Sequence, residues 1–160
     1  MKLSFVTPDA ELADKGIEKP FGEPIDGLQA YLRIGYAGND AFRNKLAKLS
    51  KNAQEQTAGR ELPDGAFRKL QRRAMVGTIL LGWRNFEEDD STPEKRHWIE
   101  ETNGNGKIHE ANAERLLSIP LVFDYVNAIS GQLESFKKED DAATSAAIKS
   151  GAEVEPAVGK

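Results

Sequence analysis

Residues 62–86, LPDGAFRKLQRRAMVGTILLGWRNF, decide how this chain is read. The turn Leu62-Pro63-Asp64 opens the stretch. Phe67, Leu70, Ala74 and Leu81 then share a stripe opposite Arg68, Lys69 and Arg72. From 74 to 83 only Thr78 breaks the most apolar run of the protein, so this half is expected to be buried all round. A short apolar run fits either a buried strand or a buried helix, and residues 75–81 admit both. The pattern continues from Phe67 without a breaker, which favours one helix through to the pair Gly82-Trp83. Inside such a helix Gly77 costs about 1 kcal/mol relative to alanine, and close approach of a neighbouring helix is the expected compensation.

Upstream, Leu28, Ala30, Leu32, Ile34 and Tyr36 alternate with Gln29, Tyr31, Arg33 and Gly35, the period of a half-buried strand. Asn39 offers an N-cap for a helix with Phe42, Leu46, Leu49 and Ala53 inward. Arg43, Lys45, Lys48 and Lys51 make its outer face basic, and it fades at Thr57-Ala58-Gly59. Residues 2–7 could form a short strand. Residues 9–27, punctuated by Pro20, Pro24, Gly16, Gly22 and Gly27, read as an exposed loop, with part of a loose hairpin as the alternative.

Downstream, EEDDSTP at 87–93 is a solvated acidic loop, and residues 95–101 form a helical turn or a strand over the core. Asn103-Gly104-Asn105-Gly106 is a turn. Residues 109–118 read as a helix with Ala113, Leu116 and Leu117 inward, and Pro120 suits the first turn of the next. Val122, Val126, Ile129, Leu133 and Phe136 then recur at spacings of four and three, the seam of one last helix packed on the core. After Lys138 the composition becomes small and charged, and it buries too little surface to offset ordering entropy. The expected fold is mainly α with a small N-terminal β element, a compact domain of about four helices. Its divisions are a strand and polar loop at 1–27, a helical domain at 28–138 and a disordered tail at 139–160.

With 160 residues the chain is the size of one domain, and its net charge of −4 argues against bulk attraction to nucleic acid or acidic membranes. There is no cysteine, which removes disulfides, thiolate metal sites and thiol nucleophiles. Pro8, Asp9 and Glu11 follow directly on residues 1–6, leaving no signal-peptide core, and no apolar run reaches the roughly 20 residues of a membrane span. A soluble intracellular protein is expected.

Residues 101–109, ETNGNGKIH, imitate a calcium loop, with Asn103, Asn105, Gly106 and Ile108 at its third, fifth, sixth and eighth positions. Glu101 stands where such a loop starts with Asp, and Asn112 replaces the bidentate Glu at the twelfth, so a glycine-rich turn is the better reading. His97 and His109 have no partner at ligand spacing, and 87–90 reads as a solvated charge run rather than a metal site. No nucleophile elbow or phosphate loop is present, so no enzymatic activity, cofactor or metal is expected. Arg68, Lys69, Arg72 and Arg73 could contact nucleic acid, but a solvated face or an acidic partner fits an acidic chain better.

The combined order carries a resemblance. Residues 31–49, YLRIGYAGNDAFRNKLAKL, give a strand, a Gly-Asn turn and a basic helix. Ile79-Leu80-Leu81-Gly82-Trp83 follows, then the acidic loop, then NGKIHEANAERLLSIP at 105–120. This order, from about Tyr31 to Phe136, resembles the tail assembly chaperones of long-tailed (siphovirus-like) bacteriophages. There a Gly-Trp pair precedes a Gly-containing turn, an Asn-Ala-x-x-Leu-Leu helix and a proline, matched here by Gly82, Trp83, Asn112, Ala113, Leu116, Leu117 and Pro120. The resemblance implies a non-enzymatic protein of the host cytoplasm, not retained in the mature virion. It would bind the tape-measure protein during tail morphogenesis and help recruit tail-tube subunits. It also implies a longer form made by ribosomal frameshifting, for which Phe136-Lys137-Lys138 could be encoded by a slippery run. The long polar N-terminal segment departs from the family and keeps a structural protein, a head-tail connector or tail terminator, as the alternative. A calcium-binding module ranks below both.

Overall fold

In chain order the elements are helix α1 (Ala10–Lys15), strands β1 (Ile17–Ile25) and β2 (Leu28–Ile34), helices α2 (Asp40–Gln56) and α3 (Asp64–Met75), strand β3 (Leu80–Arg84), helices α4 (Glu110–Ser118) and α5 (Pro120–Ser130), and a 3-10 turn at Leu133–Phe136. The computed structural model describes Leu3 and residues 6–137. The tail expected at 139–160, and residues 1, 2, 4 and 5 of the chain's start, lie outside the described residues. Among the described residues, five helices and a three-stranded antiparallel sheet in the order β1-β2-β3 make this a mixed α/β fold, which corrects the mainly helical expectation.

The correction comes from residues 62–86, which form a helix, a corner and a strand. α3 stops at Met75, Val76 turns extended, and Gly77 takes φ +74°. Gly77 is thus required by its left-handed backbone, which costs a residue with a Cβ about 1–2 kcal/mol. No helix crowds it: a Cβ there would meet only Ile108 Cγ2, at 3.7 Å. Beyond the corner, β3 pairs with β2 as Leu32 with Trp83, Arg33 with Gly82 and Ile34 with Leu80. Leu81 is therefore an extra residue, a β-bulge. The bulge lets Leu80 and Trp83, three positions apart, both reach the core. Met75, Val76, Ile79, Leu80 and Trp83 are all buried, so burial repeats at helical spacing across a chain that changes conformation twice.

The segment read as a loop at 9–27 contains α1 and β1. Asp9 caps α1 by accepting from the Leu12 amide at 3.1 Å. Asp26 and Gly27 have φ of 50° and 76°, and two consecutive positive values turn β1 tightly back into β2. Pro20 and Pro24 are tolerated because β1 lies at the sheet's edge, where a missing amide breaks no ladder on its free side. The last helix is shorter than its seam implied. α5 ends at Ser130, and Phe136 returns separately to pack on Tyr36 with ring centroids 5.4 Å apart.

One buried cluster joins Leu32, Ile34, Leu80 and Trp83 of the sheet to Leu116, Leu117, Val122, Val126 and Phe136. Burial of each such side chain stabilises the fold by about 1.5–3 kcal/mol. The corner that closes this core is buried polar backbone, and each carbonyl needs a donor. Thr78 Oγ1 donates to the Ala74 carbonyl at 2.5 Å, and the Thr78 and Ile79 amides donate to that of Met75. The Lys45 amine reaches the Val76 carbonyl at 2.6 Å, and the Gly35 amide that of Ile79 at 2.7 Å. Asn39 supplies a further bond. Its Nδ2 donates to the Thr78 carbonyl at 3.0 Å, while its Oδ1 accepts from the Phe42 amide at 2.7 Å as the N-cap of α2.

Asn39→Asp keeps the capping oxygen and loses the amide donor, so it should lower stability by about 1–3 kcal/mol. Asn39→Ala loses the cap as well and should cost more. Urea unfolding of the two variants checks both the sign and the order.

Candidate functional site

α2 and α3 pack together as a helical hairpin rooted at the corner. No residue of α2 is fully buried; Phe42, Leu46, Leu49 and Ala53 are half-buried, as the helical spacing predicts. Phe67 on α3 is 47% exposed. Between positions 40 and 75 the chain has nine Lys and Arg against four Asp and Glu, a net +5, while the remainder, with thirteen against twenty-two, carries −9. Arg43 pairs with Asp40 at 3.9 Å and Arg73 with Glu114 at 3.8 Å. Among the described residues Lys48, Lys51, Arg60, Arg68, Lys69 and Arg72 form no ion pair. Lys45 departs from the basic outer face expected of it: its amine is tucked onto the corner. Burial pushes that amine below its ordinary value, against the opposing pull of Glu110 and Glu114.

The residues matched to the chaperone pattern lie elsewhere, and three of them converge on one segment. Trp83 is buried and its indole Nε1 donates to the Ile99 carbonyl at 2.9 Å. The Asn112 side chain donates to the Glu100 carbonyl at 3.0 Å. Gly82 lies under the ion pair of Arg33 and Glu101, 3.6 Å apart, and a Cβ there would collide with the Glu101 carboxylate. Gly82, Trp83 and Asn112 thus clamp residues 99–101, which carry the chain from the sheet to α4. Ala113, Leu116 and Leu117 point into the core from α4, as expected, and Pro120 starts α5 on the surface.

The acidic loop is held in place rather than loose. Glu87 pairs with Arg96, Glu88 with Arg115 at 2.7 Å, and His97 Nδ1 lies 3.1 Å from Asp90. The Arg115 hydrogen bond holds the Glu88 carboxyl below its ordinary value, so this pair contributes at neutral pH and is lost as pH falls through the acid range.

The calcium-like loop is a tight turn in which two of the expected ligands, Asn103 and Glu101, are engaged elsewhere. Asn103 Oδ1 accepts from the amides of Asn105 and Lys107 at 3.0 and 3.2 Å. The Glu101 carboxylate, the first ligand of that reading, faces Arg33 instead. His109 caps α4, its Nδ1 accepting from the Asn112 amide at 3.3 Å.

Two adjoining concavities border α3. One, of about 540 Å³, includes Leu62, Asp64 and Phe67 in its lining, and the other, of about 490 Å³, includes Arg72, Leu117, Pro120 and Phe123. Arg68 lines both. Of the surface residues, the sequence had singled out Arg68, Arg72 and Pro120 but not their shared groove, because it is made by elements 50 residues apart along the chain.

Trp83→Phe leaves the Ile99 carbonyl without its donor and should lower stability by about 1–3 kcal/mol, measured by chemical unfolding. The melting temperature should not move between calcium and a chelator; a calcium-dependent rise would restore the metal reading. No protein-family model, curated protein or solved structure matches the chain.

Proposed function

We propose that this chain is a tail assembly chaperone of a long-tailed bacteriophage. It holds the helical tape-measure protein in solution during tail morphogenesis and helps recruit tail-tube subunits, without chemistry of its own. The residue order described above supports the assignment. The observation that carries the binding role is the α2–α3 hairpin, whose half-exposed apolar residues stand beside cations that have no ion pair among the described residues. Such a face suits an amphipathic helical client, since apolar contact gives affinity and charge sets orientation. Gly82, Trp83 and Asn112 are engaged with residues 99–101, so in this reading they keep the fold and leave the hairpin to meet the client. The action takes place in the host cytoplasm before the tail is complete.

Co-expression of this chain with the tape-measure protein from the same genome should convert that protein from aggregate to soluble complex. Mature particles should lack the chain. Retention at fixed stoichiometry in purified virions would favour the connector or terminator reading instead.

A further inference from the structure

We propose that the groove between α3 and the α4–α5 corner receives an amphipathic helix bearing carboxylates along one flank of its apolar stripe. Pro120 and half-buried Phe123, over the buried Leu117, form the apolar part of the groove, beside Gln71, Ser118 and Asn127. Arg68 and Arg72 line it from α3, and Asp124 lines it from α5. None of these three charges has an ion-pair partner among the described residues. A partner helix is thereby oriented, carboxylates toward α3 and any cation toward α5, because opposite placement sets like charges together in a partly desolvated groove. The carboxylate of Asp124 and the apolar surface of Pro120 and Phe123 disfavour a nucleic-acid backbone, whose affinity comes from cations that neutralise its phosphates. That the natural occupant is a segment of the tape-measure protein rests on the function proposed above; the groove and its charge preference do not.

The test uses the full chain and a fluorescent designed peptide helix with a leucine stripe flanked on one side by glutamates. A second peptide carries lysines in place of the glutamates. Fluorescence anisotropy should show the glutamate peptide binding about tenfold or more tighter than the lysine peptide. Arg68→Glu with Arg72→Glu, both outside the core, should leave the melting temperature unchanged and reverse that preference. Equal binding of the two peptides, no binding, or a preference unaltered by the double variant overturns the proposal. So does displacement of the glutamate peptide by a DNA duplex, or a dimer of the chain that the double variant dissolves. Co-expression with the tape-measure protein separates the two claims. If the double variant still solubilises the client, the groove is wrong as the client site and the chaperone reading stands. If the wild-type chain binds the glutamate peptide but fails to solubilise the client, the groove stands and the chaperone reading falls.

Discussion

The amide side chain of Asn39 ties two parts of this protein that no local rule would bring together. Its oxygen starts α2 and its nitrogen holds the Thr78 carbonyl at the corner between α3 and β3. A buried reversal of direction exposes backbone groups that helix and sheet would otherwise satisfy, and leaving them bare costs more than a typical hydrogen bond contributes. The corner solves this with donors from four places: Thr78 itself, the Gly35 amide at the end of β2, the Asn39 cap and the Lys45 amine. Once the corner is fixed, β3 can enter only beside β2. Its bulge at Leu81 then turns Leu80 and Trp83 into the same core.

The sheet has two different faces. Toward the helices it gives Leu32, Ile34, Leu80 and Trp83. On its other face, Glu18 pairs with Arg84, which lies 3.9 Å above the Tyr31 ring, and Arg33 meets Glu101 across Gly82. These pairs are half-exposed and each contributes little on its own. Their effect is positional: Glu18 and Arg84 tie β1 to β3, and the Arg33–Glu101 pair settles residues 99–101 where Trp83 and Asn112 hold them. The strongest sequence motif of the chain is therefore a device for joining sheet to helix, and its conspicuous tryptophan is a core residue.

Charge is divided by region. The hairpin of α2 and α3 is basic and the rest of the chain is acidic, so the net value of −4 conceals two opposite fields. Acidic residues of the 87–90 loop are largely paired with Arg96, His97 and Arg115, whereas most cations of the hairpin have no ion pair among the described residues. Unpaired charge beside half-exposed apolar surface favours association with an oppositely charged amphipathic partner, and it would steer that partner over distances near the Debye length of about 10 Å at 0.1 M salt.

The sequence by itself determined the elements whose signals are local. β2 follows from strict alternation at 28–36, α2 from Asn39 and its apolar spacing, α4 from its inward Ala113, Leu116 and Leu117, and the start of α5 from Pro120. Within the candidate site it placed the cations of α3 on the surface, and it identified Trp83 as a core residue. It could not determine the reversal at Gly77, because the bulge restores a helical burial period and three of the corner's donors, Gly35, Asn39 and Lys45, come from residues more than 30 positions away. It also missed β1, whose prolines are acceptable only at a sheet edge, although Asp26-Gly27 was a legible turn signal. The Asn39 bridge, the clamp on 99–101 and the groove along α3 belong to tertiary structure alone, since each is made by groups that meet only after distant segments have packed.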